Sequence, residues 1–249
     1  MDRLKDIHGP KRPGTYIRDM KTLLLASTST LFGQSYLEYL LPELQNFLLH
    51  TDTLTFIPYA RPSGIPHDDY TALVTKALAK IDKKVVGLHS YTDPLEGLTS
   101  AEAVFTGGGN TFLLVKQLHA LGLMTPLKHK IEAGMPYFGS SAGSNIAGPS
   151  MRTTNDMPIV YPPSFDTLGV VNFNLNPHYL DPDPNSTHKG ETRETRIREF
   201  HCFNHTPVVG LREGNYILVQ GGKAMLKGPG TVRIFESGKP PYESRELPF

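Results

Sequence analysis

Residues 135–145 read "MPYFGSSAGSN". A short apolar run ends in Gly139-x-Ser141-x-Gly143, and the small residues that follow are compatible with a helix. This is the pattern of a serine held on a sharp strand-to-helix turn, where small neighbours permit the strained backbone that exposes a hydroxyl. The same five residues also describe a small-residue turn that packs a helix closely onto a sheet, so the surroundings must decide between the two. The implied strand has company: "TLLLAS" at 22–27, "TLTFIPYA" at 53–60, "KVVGLHS" at 84–90 and "AEAVFT" at 101–106 are equally short and apolar. Near-continuous hydrophobicity marks strands covered on both faces, as in a parallel sheet.

Helix-like segments lie between these runs. Leu37, Leu40, Leu41, Leu44 and Leu48 make a helical stripe that Pro42 either kinks or restarts, and residues 68–81, "DDYTALVTKALAKI", form a cleaner helix. The alternation predicts a doubly wound, mostly parallel α/β sheet whose ligand crevice lies at the carboxyl ends of the strands. Beyond about residue 205 the texture changes to "VVGLREGNYILVQGGKAMLKGPGTVRIF", whose alternation and Gly-rich turns read as C-terminal antiparallel hairpins. Residues 1–20 are polar, broken by Pro10, Pro13 and Gly14, and read as an N-terminal arm; residues 21–249 read as a single α/β domain.

A chain of 249 residues buries a substantial core without disulfides. Its lone cysteine, Cys202, excludes an intramolecular disulfide framework and suits a reducing, cytoplasmic compartment. Lys plus Arg number 25 against 24 Asp plus Glu, so bulk charge suggests neither a nucleic acid nor an anionic membrane as partner. The apolar runs are far shorter than the roughly 20 residues of a membrane span. Nothing here sets an oligomeric state.

Serine is a weak nucleophile at neutral pH and needs a base, with a third group to orient that base. His205 is the last histidine, which argues against the α/β-hydrolase order, where the base comes last and well after the acid. His178, in "VNFNLNPHYLDP", follows a β-like run and is the candidate base at the crevice edge. Two carboxylates are candidates to orient it: Asp156 in "RTTNDMP" and Glu213 in "REGN". An acid in a loop after a strand fits the crevice rule better, but both stay open.

An oxyanion requires donors. Ala142 supplies a backbone N–H, and "FTGGGNTF" supplies another where a strand runs into Gly107-Gly108-Gly109 and then a helix starting near Asn110. The glycine run lacks the Lys-Ser/Thr of a phosphate loop. His201 and His205 lie four apart beside Cys202, but without a carboxylate at metal-site spacing they favour a structural role. Arg193 stands apart in its charged segment, because its helical neighbours Lys189, Gly190, Arg196 and Ile197 include no acid. Such an arginine is free to grip a carboxylate bidentately.

Taken together, "GGGNTF", "GSSAGSN", "RTTNDMPIV", "NPH", "HKGETRETRIRE" and "GLREGN", in this order and spacing, resemble the alpha-aspartyl dipeptidase (peptidase E) family of serine exopeptidases. The likeness runs from about residue 21 to the C-terminus. It implies a class I glutamine amidotransferase-like fold in which serine replaces the usual cysteine at the elbow. By motif it makes Ser141 the nucleophile, His178 the base, and Gly109 and Ala142 the oxyanion hole. Asp156 or Glu213 becomes the third member, Arg193 binds the substrate's aspartyl side chain, and Asn110 is a further substrate-binding candidate. The implied reaction is hydrolysis of Asp-X dipeptides through an acyl-enzyme, with no metal and no cofactor. A cyanophycinase-like peptidase, an esterase or a non-catalytic ligand-binding relative are the alternatives on the same fold.

Overall fold

The computed structural model describes residues 21–62, 64–185, 187 and 189–249. The arm expected over residues 1–20 lies outside the described residues. Five strands form where the apolar runs predict them: β1 (Leu23–Ala26), β2 (Thr53–Ile57), β3 (Lys84–Gly87), β4 (Ala103–Thr106) and β5 (Tyr137–Ser140). They pair in parallel in the order β3-β2-β4-β5-β1. Between and after them come α1 (Leu41–Phe47), α2 (His67–Leu78), α3 (Pro94–Thr99), α4 (Thr111–Ala120), α5 (Met124–Glu132) and α6 (Ala142–Asn145). Pro42 lies in the first turn of α1, where its missing N–H costs nothing, so it starts the helix rather than kinking it.

The continuous apolar runs have a direct explanation in the packing. Leu23 and Leu25 of β1 join a buried cluster with Leu98, Leu114, Leu118 and Leu127 on one face. Leu24 and Ala26 join Leu44, Phe47, Val74 and Leu78 on the other. Both sides of the pleat are therefore dry, and each fully buried leucine contributes about 1.5–3 kcal/mol.

The remaining strands are β6 (Asn174–Pro177), β7 (Val208–Leu211), β8 (Tyr216–Gln220), β9 (Lys223–Lys227), β10 (Val232–Phe235) and β11 (Tyr242–Ser244), with α7 (Arg193–Phe200) between β6 and β7. The hairpin β8–β9 extends the main sheet antiparallel from β1, turning through Gly221 and Gly222, both at positive φ. Consecutive β7 and β8 do not form the hairpin that their alternation suggests. Instead β7 joins a second, four-stranded sheet ordered β11-β10-β7-β6, parallel to β6 and antiparallel to β10. The residues between β7 and β8, including Glu213, thus cross from one sheet to the other.

Candidate active site

The parallel strands set the site, because their carboxyl ends open on one edge. Ser27 follows β1, Gly107–Gly109 follow β4 and Ser141 follows β5. On the second sheet, parallel pairing of Pro177 with Leu211 puts His178 and Glu213 at a common end as well.

Ser141 sits at φ 53°, ψ −112°, a conformation that L-residues rarely adopt. Its surroundings hold it there. The Ser141 N–H donates to the Ala26 carbonyl, and the buried Ser144 hydroxyl lies 2.7 Å from the Ala26 oxygen and 2.8 Å from that of Gly139. Tyr137 donates its hydroxyl to Gly143 O at 2.7 Å. The flanking glycines are sterically required: a Cβ on Gly139 would stand 2.5 Å from Gly143 O, and one on Gly143 2.1 Å from Thr106 O. The elbow thus exposes Ser141 in part and buries its neighbour Ser140 completely.

His178 Nε2 lies 2.9 Å from Ser141 Oγ, and Nδ1 lies 2.6 Å from Glu213 Oε1. With the proton on Nδ1, the imidazole donates to the glutamate and accepts from the serine. The backbone of His178 is itself pinned. Its N–H donates to Ser27 Oγ at 2.9 Å, and Ser27 Oγ donates to Leu211 O at 2.7 Å. One hydroxyl thereby ties β1 to the ends of β6 and β7. Sequence reasoning overlooked Ser27; the signal was a polar residue at the carboxyl end of the central apolar run.

Asp156, the other candidate acid, lies elsewhere. Its Oδ2 accepts from Thr111 N–H at 2.7 Å, Thr111 Oγ1 at 2.6 Å and Thr154 Oγ1 at 3.0 Å. A carboxylate there suits the N-terminus of α4, where unpaired N–H groups and the helix dipole favour negative charge. Asn110 caps the same helix through Oδ1 to Leu113 N–H, while its Nδ2 donates to Met157 O. Both ends of that amide are engaged within the protein. The loop carrying Asp156 and Met157 is clamped to α4 by these bonds.

A cavity of about 190 Å³ opens at Ser141 and is lined by Thr111, Ala142, Asn145, Asp156, His178 and Arg193, among others. Arg193 begins α7 half-buried. Burial pushes its pKa below the usual value and Arg196 adds to this, while the Asp156 and Glu213 charges act against it. No hydrogen bond or ion pair of its side chain is found among the described residues, whereas Arg198 on the same helix pairs with Glu194. A partly desolvated cation facing a cavity without a partner gains strongly from an incoming carboxylate. Near Ser141, a Cβ on Gly108 would lie 3.0 Å from the serine Cβ, so the glycine loop closes over the hydroxyl. Gly109 takes φ +142°, and a Cβ there would meet Ala60 O at 2.2 Å. A larger hollow of about 640 Å³, lined by Lys128, Phe173 and Phe249, includes none of these reactive side chains.

A serine on a strand–helix elbow, with an imidazole against its hydroxyl and a carboxylate behind the imidazole, is the constellation of a serine hydrolase. The model of peptidase family S51 matches residues 23–227, and the chain belongs to that family of serine-type peptidases. Peptidase E of Streptomyces coelicolor is 53% identical over 221 residues, 89% of this chain and 90% of its own. A Drosophila melanogaster protein named "Probable alpha-aspartyl dipeptidase" is 46% identical over 220 residues, covering 87% of this chain and 90% of its own. The crystal structure of a peptidase from an acI-B1 Actinobacterium superposes with a TM-score of 0.65 at 17% identity, over 93% of this chain and 97% of that one, a likeness of fold. No helix among the described residues is long and apolar enough to cross a membrane, and no group of three His, Cys, Asp or Glu able to hold a metal is found among them.

Proposed function

We propose that this protein is a serine dipeptidase that hydrolyses dipeptides bearing an N-terminal aspartate. His178 takes the proton of Ser141 as the hydroxyl oxygen attacks the aspartyl carbonyl carbon. Negative charge gathers on the former carbonyl oxygen, facing the Gly109 and Ala142 N–H groups. The same proton passes from His178 to the departing amine as the peptide bond breaks, leaving an acyl-enzyme. Water then gives its proton to His178 and its oxygen to the acyl carbon, and His178 passes that proton to Ser141 Oγ as the ester bond breaks and free aspartate leaves. Glu213 holds the imidazole in the required tautomer and balances the transient imidazolium. Arg193 grips the β-carboxylate of the substrate, and Asp156 serves to fix its loop on α4.

The observation that carries this reading is a Glu213–His178–Ser141 relay whose serine and histidine line one small cavity with Arg193, which has no partner among the described residues. The relatives named peptidase E and alpha-aspartyl dipeptidase support the same substrate class. We also read residues 21–249 as one catalytic unit, since Ser141 and His178 follow strands of different sheets, and the lone Cys202 suits a reducing, cytoplasmic compartment. The test is hydrolysis of Asp-Leu and of a neutral dipeptide by wild type, Ser141→Ala and Arg193→Ala. Ser141→Ala is expected to fall to background on both, and retained turnover there sinks the proposal. Arg193→Ala is expected to lose about 2 kcal/mol or more in kcat/KM on Asp-Leu, with little change on the neutral substrate.

A further inference from the structure

Tyr70, on α2, is completely buried, and the chemistry above makes no use of its hydroxyl. Its ring stands edge-on to Phe56, with centroids 4.9 Å apart, and edge-on to Tyr36 at 6.3 Å. The Arg61 guanidinium lies over the ring, 4.9 Å from its centroid. So fixed, the hydroxyl donates to the Gly108 carbonyl at 3.2 Å in a buried setting, and Tyr36 donates to it at 3.4 Å. Gly107 makes this approach possible, because a Cβ there would stand 2.6 Å from Tyr70 Oη.

The peptide linking Gly108 to Gly109 is trans, so its carbonyl and its N–H leave opposite edges of one rigid plane. Between two glycines such a plane can turn over at little steric cost, since no Cβ restricts the flanking torsions. An anchor on the Gly108 oxygen therefore decides where the Gly109 N–H points. Two further contacts brace the loop. Asn110 N–H donates to Ala60 O at 2.6 Å, and Gly107 N–H donates to Ile57 O at 3.2 Å. Neither bonds the Gly108–Gly109 peptide itself; Tyr70 does.

We infer that Tyr70 is the positioning residue of the oxyanion hole: its hydroxyl, bonded to the Gly108 carbonyl, keeps the Gly109 N–H aimed at the oxygen that becomes negative beside Ser141. The inference rests on the proposed assignment of Gly109 as a donor. Donation into the carbonyl also polarises the peptide and makes its N–H a better donor. Both effects act on the transition state more than on bound substrate, so they belong in kcat rather than in KM.

Tyr70→Phe deletes one oxygen and keeps the ring packing. The expected result is a kcat on Asp-Leu about tenfold lower with KM within about twofold, a fraction of what loss of a whole oxyanion donor costs. An aspartyl aldehyde supplies the second readout. Ser141 Oγ adds to its carbonyl carbon and the serine proton passes to His178, leaving a charged oxygen in the hole. Its affinity is expected to fall by a similar factor in Tyr70→Phe, while affinity for free aspartate holds. Because a ratio of affinities does not depend on how much protein is folded, it can be read even in a poorly folding variant. A purely structural tyrosine would lower Tm and leave both kcat and the aldehyde-to-aspartate ratio at wild-type values, which overturns the inference. An aldehyde that fails to bind wild type, or binds Ser141→Ala equally well, overturns the underlying reading along with it.

Discussion

Glu213 receives His178 Nδ1–H, whereas Asp156 receives Thr111 and Thr154, so neutralising each acid should have a different consequence. Glu213→Gln no longer balances the imidazolium and can present an NH₂ to Nδ1, favouring the wrong tautomer. Turnover is expected to drop on the order of 10³-fold or more, with unfolding little changed, since the Glu213 side chain is 50% exposed. Asp156→Asn instead weakens charge-assisted bonds at a helix N-terminus, with an expected stability loss of about 1–2 kcal/mol and a smaller loss of rate. Steady-state kinetics and denaturant unfolding of the two variants decide between them; the reverse pattern would give Asp156 the orienting role. At this scale the sequence pattern singled out Ser141, His178 and Arg193, which line one cavity, but left the two acids open. The choice depends on which loop the β6–β7 register delivers to the imidazole, a contact spanning 35 positions that no local spacing encodes.

The elbow shows how an element can depend on the absence of side chains. Gly139 and Gly143 bring β5 and α6 into backbone contact, and α6 in turn onto β4 through Thr106 O. Gly143→Ala must displace the β4 backbone at Thr106, and is expected to cost about 2 kcal/mol or more and most of the activity. Gly33→Ala is the control: nothing lies within 4 Å of the added carbon there, and only its positive φ of +78° exacts a penalty, about 1 kcal/mol. Urea midpoints of the two variants measure the difference. The parallel strands were legible because burial on both faces writes itself as unbroken hydrophobicity. The parting of β7 from β8 was not, because alternation reports one wet face without naming the neighbouring strand. Tyr70 escaped notice for a related reason: within α2 it reads as one more apolar-face residue, and its partner Gly108 lies 38 positions away.

Across the whole molecule, the second sheet is fastened by Arg212, which pairs with Asp181 at 2.7 Å and Glu243 at 2.9 Å and donates to Thr231 O at 3.0 Å. The Arg212 guanidinium holds the Asp181 carboxyl below the usual carboxylate range. At Glu243 partial burial works upward, but the bonds from Arg212 and Thr231 outweigh it and the net shift is again downward. Carboxyls with depressed folded-state pKa values stabilise fully above their unfolded pKa of about 4 and lose that contribution as pH falls through the folded value. The stability deficit of Arg212→Met should therefore be present at pH 7 and shrink toward pH 3, as urea unfolding at both pH values would measure. Both carboxylates are substantially exposed, so solvent screening keeps the effect modest, about 1 kcal/mol. A deficit that grows toward acid pH would contradict this account. Arg212 directly precedes Glu213, so the same fastening also steadies the acid proposed to orient His178. The Ser27 hydroxyl has a consequence of another kind. It binds His178 and Leu211, which lie 151 and 184 positions from Ser27 along the chain, and such distant closures are slow events in folding. Enzymatic activity should thus return late during refolding, after helical structure has recovered, making the reaction itself a clock for the docking of the two sheets.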